Sequence, residues 1–167
     1  GIVLTQVILS LIGIILGSII FQMNFSLFLS GLGVIAVGGI VVNNGILLID
    51  YTDALRKDGV PFRQAIIEAG KTRLTPVLLT AFSTILGLLP LALGINIDFL
   101  GLLTDFDPNF FWGGDSSQFW GPMAWTIIFG LSFATVLTLL VVPSMYYVVY
   151  KKRALKNGEA FDAADEK

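Results

Sequence analysis

The sequence predicts an all-α membrane protein with four transmembrane helices and a short cytoplasmic amphipathic helix. Three observations support this fold class. Hydrophobic residues make up 55% of the 167 residues and charged residues only 13%, and the mean hydropathy is +0.84, a composition typical of proteins that lie in a bilayer. Four apolar runs are each long enough to cross a hydrocarbon core of about 30 Å. The basic residues are confined to two segments, which two of the spans separate.

The composition also bears on the kind of activity. The chain has no cysteine and no histidine, so it lacks the side chain that most often serves as metal ligand or general base. No nucleophile–base pair, metal cluster or phosphate-binding loop can be assembled from the remaining residues. We therefore expect a protein that is not an enzyme, with no catalytic residues, no bound metal, no cofactor and no nucleic acid as partner.

The first two spans are predicted over residues 2–21 and 27–56. In the first, Gly13 and Gly17 form a small-xxx-small pair that lets another helix approach closely, although glycines are also simply tolerated in membrane helices. At 1.5 Å per residue the second span is roughly 45 Å long, so it must tilt or protrude from the bilayer. Its many glycines are typical of a helix packed on several sides, and we expect the rest of the chain to pack around it.

The connection after the second span is basic. Within it we predict a short amphipathic helix over residues 61–69 that lies in the membrane interface; an ordinary polar loop is the alternative. Gly70 suits the position that follows a helix, and Thr75 and Pro76 suit the start of the next one. The third span is therefore predicted over residues 76–93.

The second half of the chain holds a long connection and the last span. Residues 94–121 contain four aspartates, no basic residue and many aromatic rings, which predicts a periplasmic loop with its rings at headgroup depth. Binding of a partner or ligand is the alternative. The fourth span is predicted over residues 122–150, with a kink at Pro143. Residues 154–167 are charged and have no apolar face, so we expect a disordered cytoplasmic tail.

The basic residues predict the orientation. Five of the ten lie between residues 56 and 73, and the other five lie between residues 151 and 167. Because two spans separate these segments, both lie on one side, which the positive-inside rule makes the cytoplasm. We therefore expect a multi-pass membrane protein with both ends of the chain cytoplasmic.

Two adjacent amides, Asn43 and Asn44, interrupt the apolar part of the second span. Polar groups in hydrocarbon mark either helix–helix contacts or a transport pathway, and both interpretations stay open here. On an ideal helix Asn43 and Asp50 share a face, whereas Asn44 is turned away by about 100°. Asp50, near the end of the span, is either a surface charge or a secondary site residue. No carboxylate lies deep in any span, so the chain alone lacks the protonation site that a proton-driven pump needs.

Five stretches carry long motifs that occur in a fixed order. They are residues 39–51 (GIVVNNGILLIDY), 55–59 (LRKDG), 68–80 (EAGKTRLTPVLLT), 85–93 (ILGLLPLAL) and 130–143 (GLSFATVLTLLVVP). Together they resemble the C-terminal membrane segment of the resistance-nodulation-division (RND) efflux permeases, and among these the hydrophobe/amphiphile efflux branch. The resemblance covers residues 1–153.

The resemblance implies a fragment of a twelve-helix membrane domain, in which these spans are helices nine to twelve. It also implies a homotrimer, a periplasmic adaptor, an outer-membrane channel, and exchange of protons for exported compounds. The family's proton relay pairs acidic residues of the fourth helix with a residue of the tenth, often lysine. That position here is Asn43, followed by Asn44. A hydroxyl on the last helix contributes in some members, and Thr126 or its neighbour Trp125 falls near that position.

The sequence thus predicts the C-terminal part of a proton-driven RND efflux permease that exports drugs or other small molecules and is inactive as an isolated fragment. The LTP and LGLLP motifs favour this interpretation over a Sec-type protein-export accessory subunit with similar helices. A structural four-helix membrane subunit is a third interpretation. The chain begins at Gly1 without the basic flank and cleavage pattern of a signal peptide, so we expect a piece of a longer protein.

Overall fold

The computed structural model describes residues 2–22, 26–97, 102–104, 106 and 109–157. It contains four long helices and two short strands. These are α1 (Ile2–Ile20), α2 (Leu27–Lys57), α3 (Phe62–Leu93), β1 (Ile95–Ile97), β2 (Phe110–Trp112) and α4 (Asp115–Asn157). Each of the four helices is long and apolar enough to cross a membrane, so the predicted all-α membrane fold is confirmed.

Helix α4 is the centre of the bundle. It packs against each of the other three helices, and 50% of its apolar span is buried, compared with 11% to 28% for the other spans. Helix α2 also packs against each of the other three helices, as predicted for a helix with neighbours on several sides, but α4 and not α2 is the most buried span. Only some glycines of α2 meet another helix. Gly33 and Gly45 do so, whereas Gly31, Gly38 and Gly39 have open space where a side chain would stand.

Small residues bring α1 close to α4. A side chain added at Gly13 would overlap the ring of Phe133, and a Cβ at Gly17 would lie 2.7 Å from Cγ of Phe129. The close approach predicted from these two glycines is therefore confirmed. The core that forms around this contact consists of Ile14, Val37, Val41, Ile127 and Ala134.

The amphipathic helix 61–69 and the third span 76–93 are not separate elements. They form one continuous helix, α3, of 32 residues with Pro76 inside it. A proline removes one helical hydrogen bond, and membrane helices tolerate this loss because neighbouring groups satisfy the freed carbonyl. The first turns of α3 also bury an apolar face against the bundle, which favours continuing the helix over a separate piece in the interface. The buried residues of those turns are Phe62, Ala65 and Ala69.

Gly59 ends α2 and directs the chain into α3. Its φ is +84°, a left-handed conformation that costs glycine little. The N–H of Gly59 donates to the carbonyl of Arg56 at 3.1 Å, and the N–H of Val60 donates to the carbonyl of Leu55 at 3.2 Å. These two bonds form a Schellman motif, which places the first turn of α3 beside the last turn of α2.

The connection predicted as a loop over residues 94–121 is partly ordered. Strands β1 and β2 form an antiparallel pair with Ile95 opposite Trp112, and the N–H of Gly113 donates to the carbonyl of Gly94 at 2.9 Å. Helix α4 begins at Asp115 rather than at residue 122, because an acidic residue in the first turn favours a helix start. Several of the predicted loop residues, at 98–101, 105 and 107–108, lie outside the described residues.

Helix α4 also extends beyond its predicted end at residue 150. It continues to Asn157, because Lys, Arg, Ala and Leu are strong helix formers and dominate this stretch. The start of the predicted disordered tail, residues 154–157, is therefore helical. Residues 158–167 lie outside the described residues.

Candidate functional site

The two amides of α2 differ in exposure. Asn43 is exposed and Asn44 is half-buried, whereas the flanking Val41 and Gly45 are buried. Asp50, seven residues after Asn43, is exposed as well, as expected of two positions on one helix face. Asn43 therefore lies on a face of α2 that the described residues leave open.

This open face of α2 is otherwise apolar. Ile35 is 72% exposed, and Ile46 and Leu47, one turn beyond Asn43, are 44% and 43% exposed. Gly39, one turn before Asn43, has no atom near the place where a side chain would stand. An amide amid such residues is costly in lipid and stabilising against another polar helix. The face thus has two residues that suit a helix–helix contact, the small Gly39 and the amide Asn43.

Thr126 does not lie near Asn43. Its side chain is 4% exposed, and its hydroxyl donates to the carbonyl of Pro122 within α4 at 2.8 Å. A Cβ added at Gly33 of α2 would lie 2.9 Å from Thr126 Cγ2. Because Gly33 precedes Asn43 by ten residues, about 15 Å of helix separates the two positions. Within this chain Thr126 packs α4 against α2 and does not join the amides.

The neighbouring Trp125 ties α4 to the end of α3. Its indole N–H donates to the carbonyl of Ala92 at 2.9 Å, and Ala92 belongs to the last turn of α3, where carbonyls lack helical partners. The Trp125 ring also stacks on Phe129 at 5.3 Å and on Phe21 at 6.4 Å. These contacts make Trp125 an anchor between three helices.

A buried polar contact that sequence analysis did not identify joins α1, α2 and α4. Gln6 is 2% exposed, and its amide nitrogen donates to the hydroxyl of Thr138 at 3.2 Å. Gly45 of α2 leaves the space that the Gln6 amide occupies. Among the described residues, Gln6 Oε1 is buried without a hydrogen-bond partner. The signal was visible, because Gln6 is a long polar side chain in an uncharged span, but the sequence does not show which helices it meets.

A second cluster holds the ends of α2, α3 and α4 together; we call it the tyrosine–arginine cluster, formed by Asp53, Arg56, Phe62, Tyr146 and Tyr150. The hydroxyl of Tyr146 donates to Asp53, and the guanidinium of Arg56 donates to the hydroxyl of Tyr150. The guanidinium also lies 3.6 Å from the ring centroid of Tyr150 and 5.4 Å from that of Phe62. Three helices from distant parts of the sequence are thus joined at one end of the bundle.

The aromatic rings add to these polar contacts. Phe62 stacks on Tyr150 at 4.7 Å and on Tyr146 at 5.8 Å. A cation over an aromatic ring stabilises by about 0.5–2 kcal/mol, depending on its burial, and an aromatic pair adds about 0.5–1.5 kcal/mol. Among the residues that the structure describes, no group of three or more metal-ligating side chains is found.

The arrangement of the four helices is similar to part of a solved efflux pump. The crystal structure of a heavy metal efflux pump matches 89% of this chain and 13% of the pump's own chain, with a TM-score of 0.70 and 28% sequence identity. The class of protein follows from the four apolar helices, the central α4 and the amide-bearing face of α2. The chain is a helical segment from the membrane region of an RND exporter.

The family can be stated more narrowly. The sequence pattern of the AcrB/AcrD/AcrF family matches residues 2–150, and the chain belongs to that family. This confirms the resemblance to RND efflux permeases. The branch within them stays a prediction, because the relatives include proteins named for drug resistance and proteins named for metal resistance.

Three relatives illustrate this range. The swarming motility protein SwrC of Bacillus subtilis (strain 168) is 39% identical over 76% of this chain, which is 10% of its own length. The nickel and cobalt resistance protein CnrA of Cupriavidus metallidurans is 34% identical over 95% of this chain and 13% of its own length. The multidrug resistance protein MdtC of Erwinia tasmaniensis is 32% identical over 85% of this chain and 12% of its own length. The chain thus spans little more than a tenth of these relatives.

Proposed function

We propose that this chain is part of a proton-driven RND exporter of the bacterial inner membrane, and that Asn43 belongs to the network that couples proton binding to transport. The protein is a transporter in this proposal and not an enzyme. Both ends of the chain are cytoplasmic, as the placement of its basic residues predicts. Its partners are two further copies of the same permease, a periplasmic adaptor and an outer-membrane channel.

The position of Asn43 is the observation that carries the proposal. An amide donates and accepts hydrogen bonds without itself taking up a proton, so it responds when a neighbouring carboxylate is neutralised. Asn43 is exposed on an apolar face of α2. Its hydrogen-bond partner therefore comes from a part of the permease outside this chain, and an acidic membrane helix is the partner that proton coupling needs.

The other predicted site residues take lesser parts. Asn44 is half-buried beside Asn43 and is a second amide that can join the same network. Asp50 is exposed nearer the end of α2, where it is a secondary candidate on the same face as Asn43. Thr126 is occupied by its bond to Pro122 and contributes by packing α4 against α2.

Two substrate classes follow from the relatives. Drugs or other small molecules are the first, because MdtC is named for multidrug resistance. Divalent metal cations are the second, because CnrA is named for nickel and cobalt resistance and the similar solved structure is that of a heavy metal pump. Growth of a strain lacking the permease, on dyes and detergents and separately on nickel and cobalt salts, distinguishes the two.

Replacing Asn43 with leucine tests the coupling role. In the full-length permease Asn43→Leu keeps the branched shape of the side chain but removes its hydrogen bonds. Loss of a hydrogen bond to a charged partner is worth about 1.5–3 kcal/mol, so we expect export to fall on the order of tenfold or more. The measurement is substrate efflux together with proton uptake in vesicles that carry an imposed proton gradient.

Leu47→Ala is the matched control, since Leu47 lies one turn further along the same face and is similarly exposed in this chain. It removes packing and leaves the amide in place, so efflux is expected to stay near the wild-type rate. Equal losses of efflux in the two variants would mean that Asn43 contributes only packing. Full proton-coupled efflux in Asn43→Leu would exclude the proposed role.

A further inference from the structure

A groove of about 550 Å³ opens beside the tyrosine–arginine cluster, between the N-terminal turns of α1 and the C-terminal turns of α2 and α4. Its lining includes apolar side chains from all three helices and two charges of opposite sign. The lining includes Ile2, Ile49, Met145, Val149, Asp53 and Arg153. We propose that this groove binds one phospholipid whose zwitterionic headgroup carries a primary ammonium, as in phosphatidylethanolamine.

The groove changes from polar to apolar along the helices. Asp53 lies one turn before the end of α2, and Ile49 lies one turn deeper in the apolar part of the same helix. On α4, Arg153 is near the charged end, and Met145 is eight residues, or about 12 Å, further into the span. The apolar part of the groove thus suits acyl chains, and its charged end suits a headgroup that folds across the membrane surface.

Asp53 suits the ammonium group. Its side chain is exposed to the groove and accepts the hydroxyl of Tyr146, whose ring is held by stacking on Phe62 at 5.8 Å. A carboxylate offers about four acceptor positions, and an ammonium offers three N–H donors. Asp53 is therefore fixed in place and keeps acceptor positions for a ligand.

Arg153 suits the phosphate. It follows Tyr146 by seven residues, or about 10 Å of helix, and helical side chains lean back toward the N-terminus of their helix. Arg153 lines the same groove as Asp53, and arginine binds phosphate through paired N–H donors. Basic groups between membrane helices at the headgroup level are known to hold phospholipid heads.

The pair of opposite charges selects among phospholipids. Phosphatidylglycerol has no cation for Asp53, and its negative charge is repelled by that carboxylate. Phosphatidylcholine has a cation, but its quaternary ammonium has no N–H to donate. Of these three phospholipids, phosphatidylethanolamine alone has both a primary ammonium for Asp53 and a phosphate for Arg153, and this selection does not depend on the proposed role of Asn43.

Native mass spectrometry of the delipidated full-length permease, titrated with dioleoyl forms of the three phospholipids, tests the proposal. We expect the ethanolamine lipid to bind about tenfold more tightly than the choline lipid, because only its ammonium donates a charge-assisted hydrogen bond to Asp53. Asp53→Asn should lower ethanolamine-lipid affinity to that of the choline lipid. Arg153→Gln should weaken all three lipids. Equal affinity of the wild-type protein for the ethanolamine and choline lipids overturns the proposal.

Matched controls separate this groove from general surface charge. Asp58→Asn and Lys152→Gln make the same charge changes at exposed residues of the same helix ends that do not line the groove, so both should bind lipid as the wild-type protein does. Val149→Trp fills the groove and leaves both charges in place, and it should abolish the preference for the ethanolamine lipid. Unchanged binding in Val149→Trp, or equal losses in the control and groove variants, would place the lipid elsewhere.

Discussion

Gly45 shows how a residue without a side chain makes room for a polar contact inside the bundle. It lies on α2 directly after the two amides, and its Cα faces the Gln6 amide that bonds Thr138. The GIVVNNG motif therefore presents residues on two opposite faces of α2. Asn43 is directed outward and Gly45 inward, since two residues of helix turn the direction by about 200°.

Enlarging Gly45 is expected to destabilise the bundle. A valine at this position forces the Gln6 side chain away from Thr138, and overpacking of this kind costs about 1–3 kcal/mol. We expect Gly45→Val to lower the thermal midpoint of the full-length permease in detergent by a few degrees. Gln6→Ala in the same protein should restore part of the loss, because it removes the overlapping group. If the thermal midpoint of the double variant Gly45→Val and Gln6→Ala is no higher than that of Gly45→Val alone, the space at Gly45 is not needed for Gln6. Gly38→Val, where a side chain meets no atom of this chain, is the control for helix propensity.

The tyrosine–arginine cluster shows how elements are held in register at one end. Gly59 turns the chain so that α3 begins beside the end of α2, and Phe62 then reaches the tyrosines of α4. Arg73 adds a further link between α2 and α3, with its guanidinium 4.8 Å from the ring centroid of Tyr51. These contacts fix the end of α2, the helix that carries Asn43, against α3 and α4.

Replacing Arg56, the cation of the tyrosine–arginine cluster, tests whether the cluster holds the three helices together. Arg56→Met keeps the aliphatic length but removes the donor to Tyr150 and the charge above two rings, and we expect a loss of about 1–3 kcal/mol. Arg56→Lys should recover only part, because lysine lacks the planar group that stacks on a ring. The thermal midpoint of the full-length permease measures the stability of both variants. Lys57→Met is the control at an exposed neighbour, and a loss there equal to that of Arg56→Met would contradict a specific cluster.

At the scale of the whole molecule, the four helices leave much of their apolar surface open. Large side chains are exposed along α1, α2 and α3, including Leu4 at 68%, Ile35 at 72% and Leu79 at 66%. Since the chain spans only 10% to 14% of its relatives, both lipid and further helices of the same permease are available to cover these faces. The open face of α2 carries an exposed amide, Asn43, whereas the open face of α3 carries the hydroxyl residues Thr80 and Ser83.

The topology of the whole segment is open to a labelling test. The chain has no cysteine, so single cysteines introduced into a cysteine-free permease report on position. Lys57→Cys and Lys152→Cys should react with a membrane-impermeant maleimide only from the cytoplasmic side, because two spans lie between them. Phe111→Cys, on the hairpin after a further span, should react only from the periplasmic side. Labelling of all three from one side would contradict the topology.

The patterns in the sequence predicted the spans well and their ends less well. Span 2–21 differs from α1 by one residue at its end, and span 27–56 differs from α2 by one residue. The start of α3 was predicted as a separate helix because Gly70 and Pro76 are common helix boundaries. In the folded chain the buried face of α3's first turns outweighs those local preferences, and such tertiary burial is not readable from propensity.

The contacts of the candidate site were likewise predicted only in part from the sequence. The sequence located Asn43 and Asp50 on one face, because helical periodicity alone fixes that relation. It did not identify Gln6 with Thr138, or Arg56 with Tyr150, because those partners lie 132 and 94 residues apart.

By itself the sequence determined that this is a helical membrane protein, that it has four spans and that Asn43 and Asp50 share a face of the second, since each depends on composition or on a local helical repeat. Only the tertiary structure decided that α4 is the central helix, that Thr126 packs against Gly33 far from Asn43, and that a charged groove opens beside α1. Those features depend on how each helix is rotated against its neighbours. That rotation is set by the packing of side chains distant in sequence, which no local pattern contains.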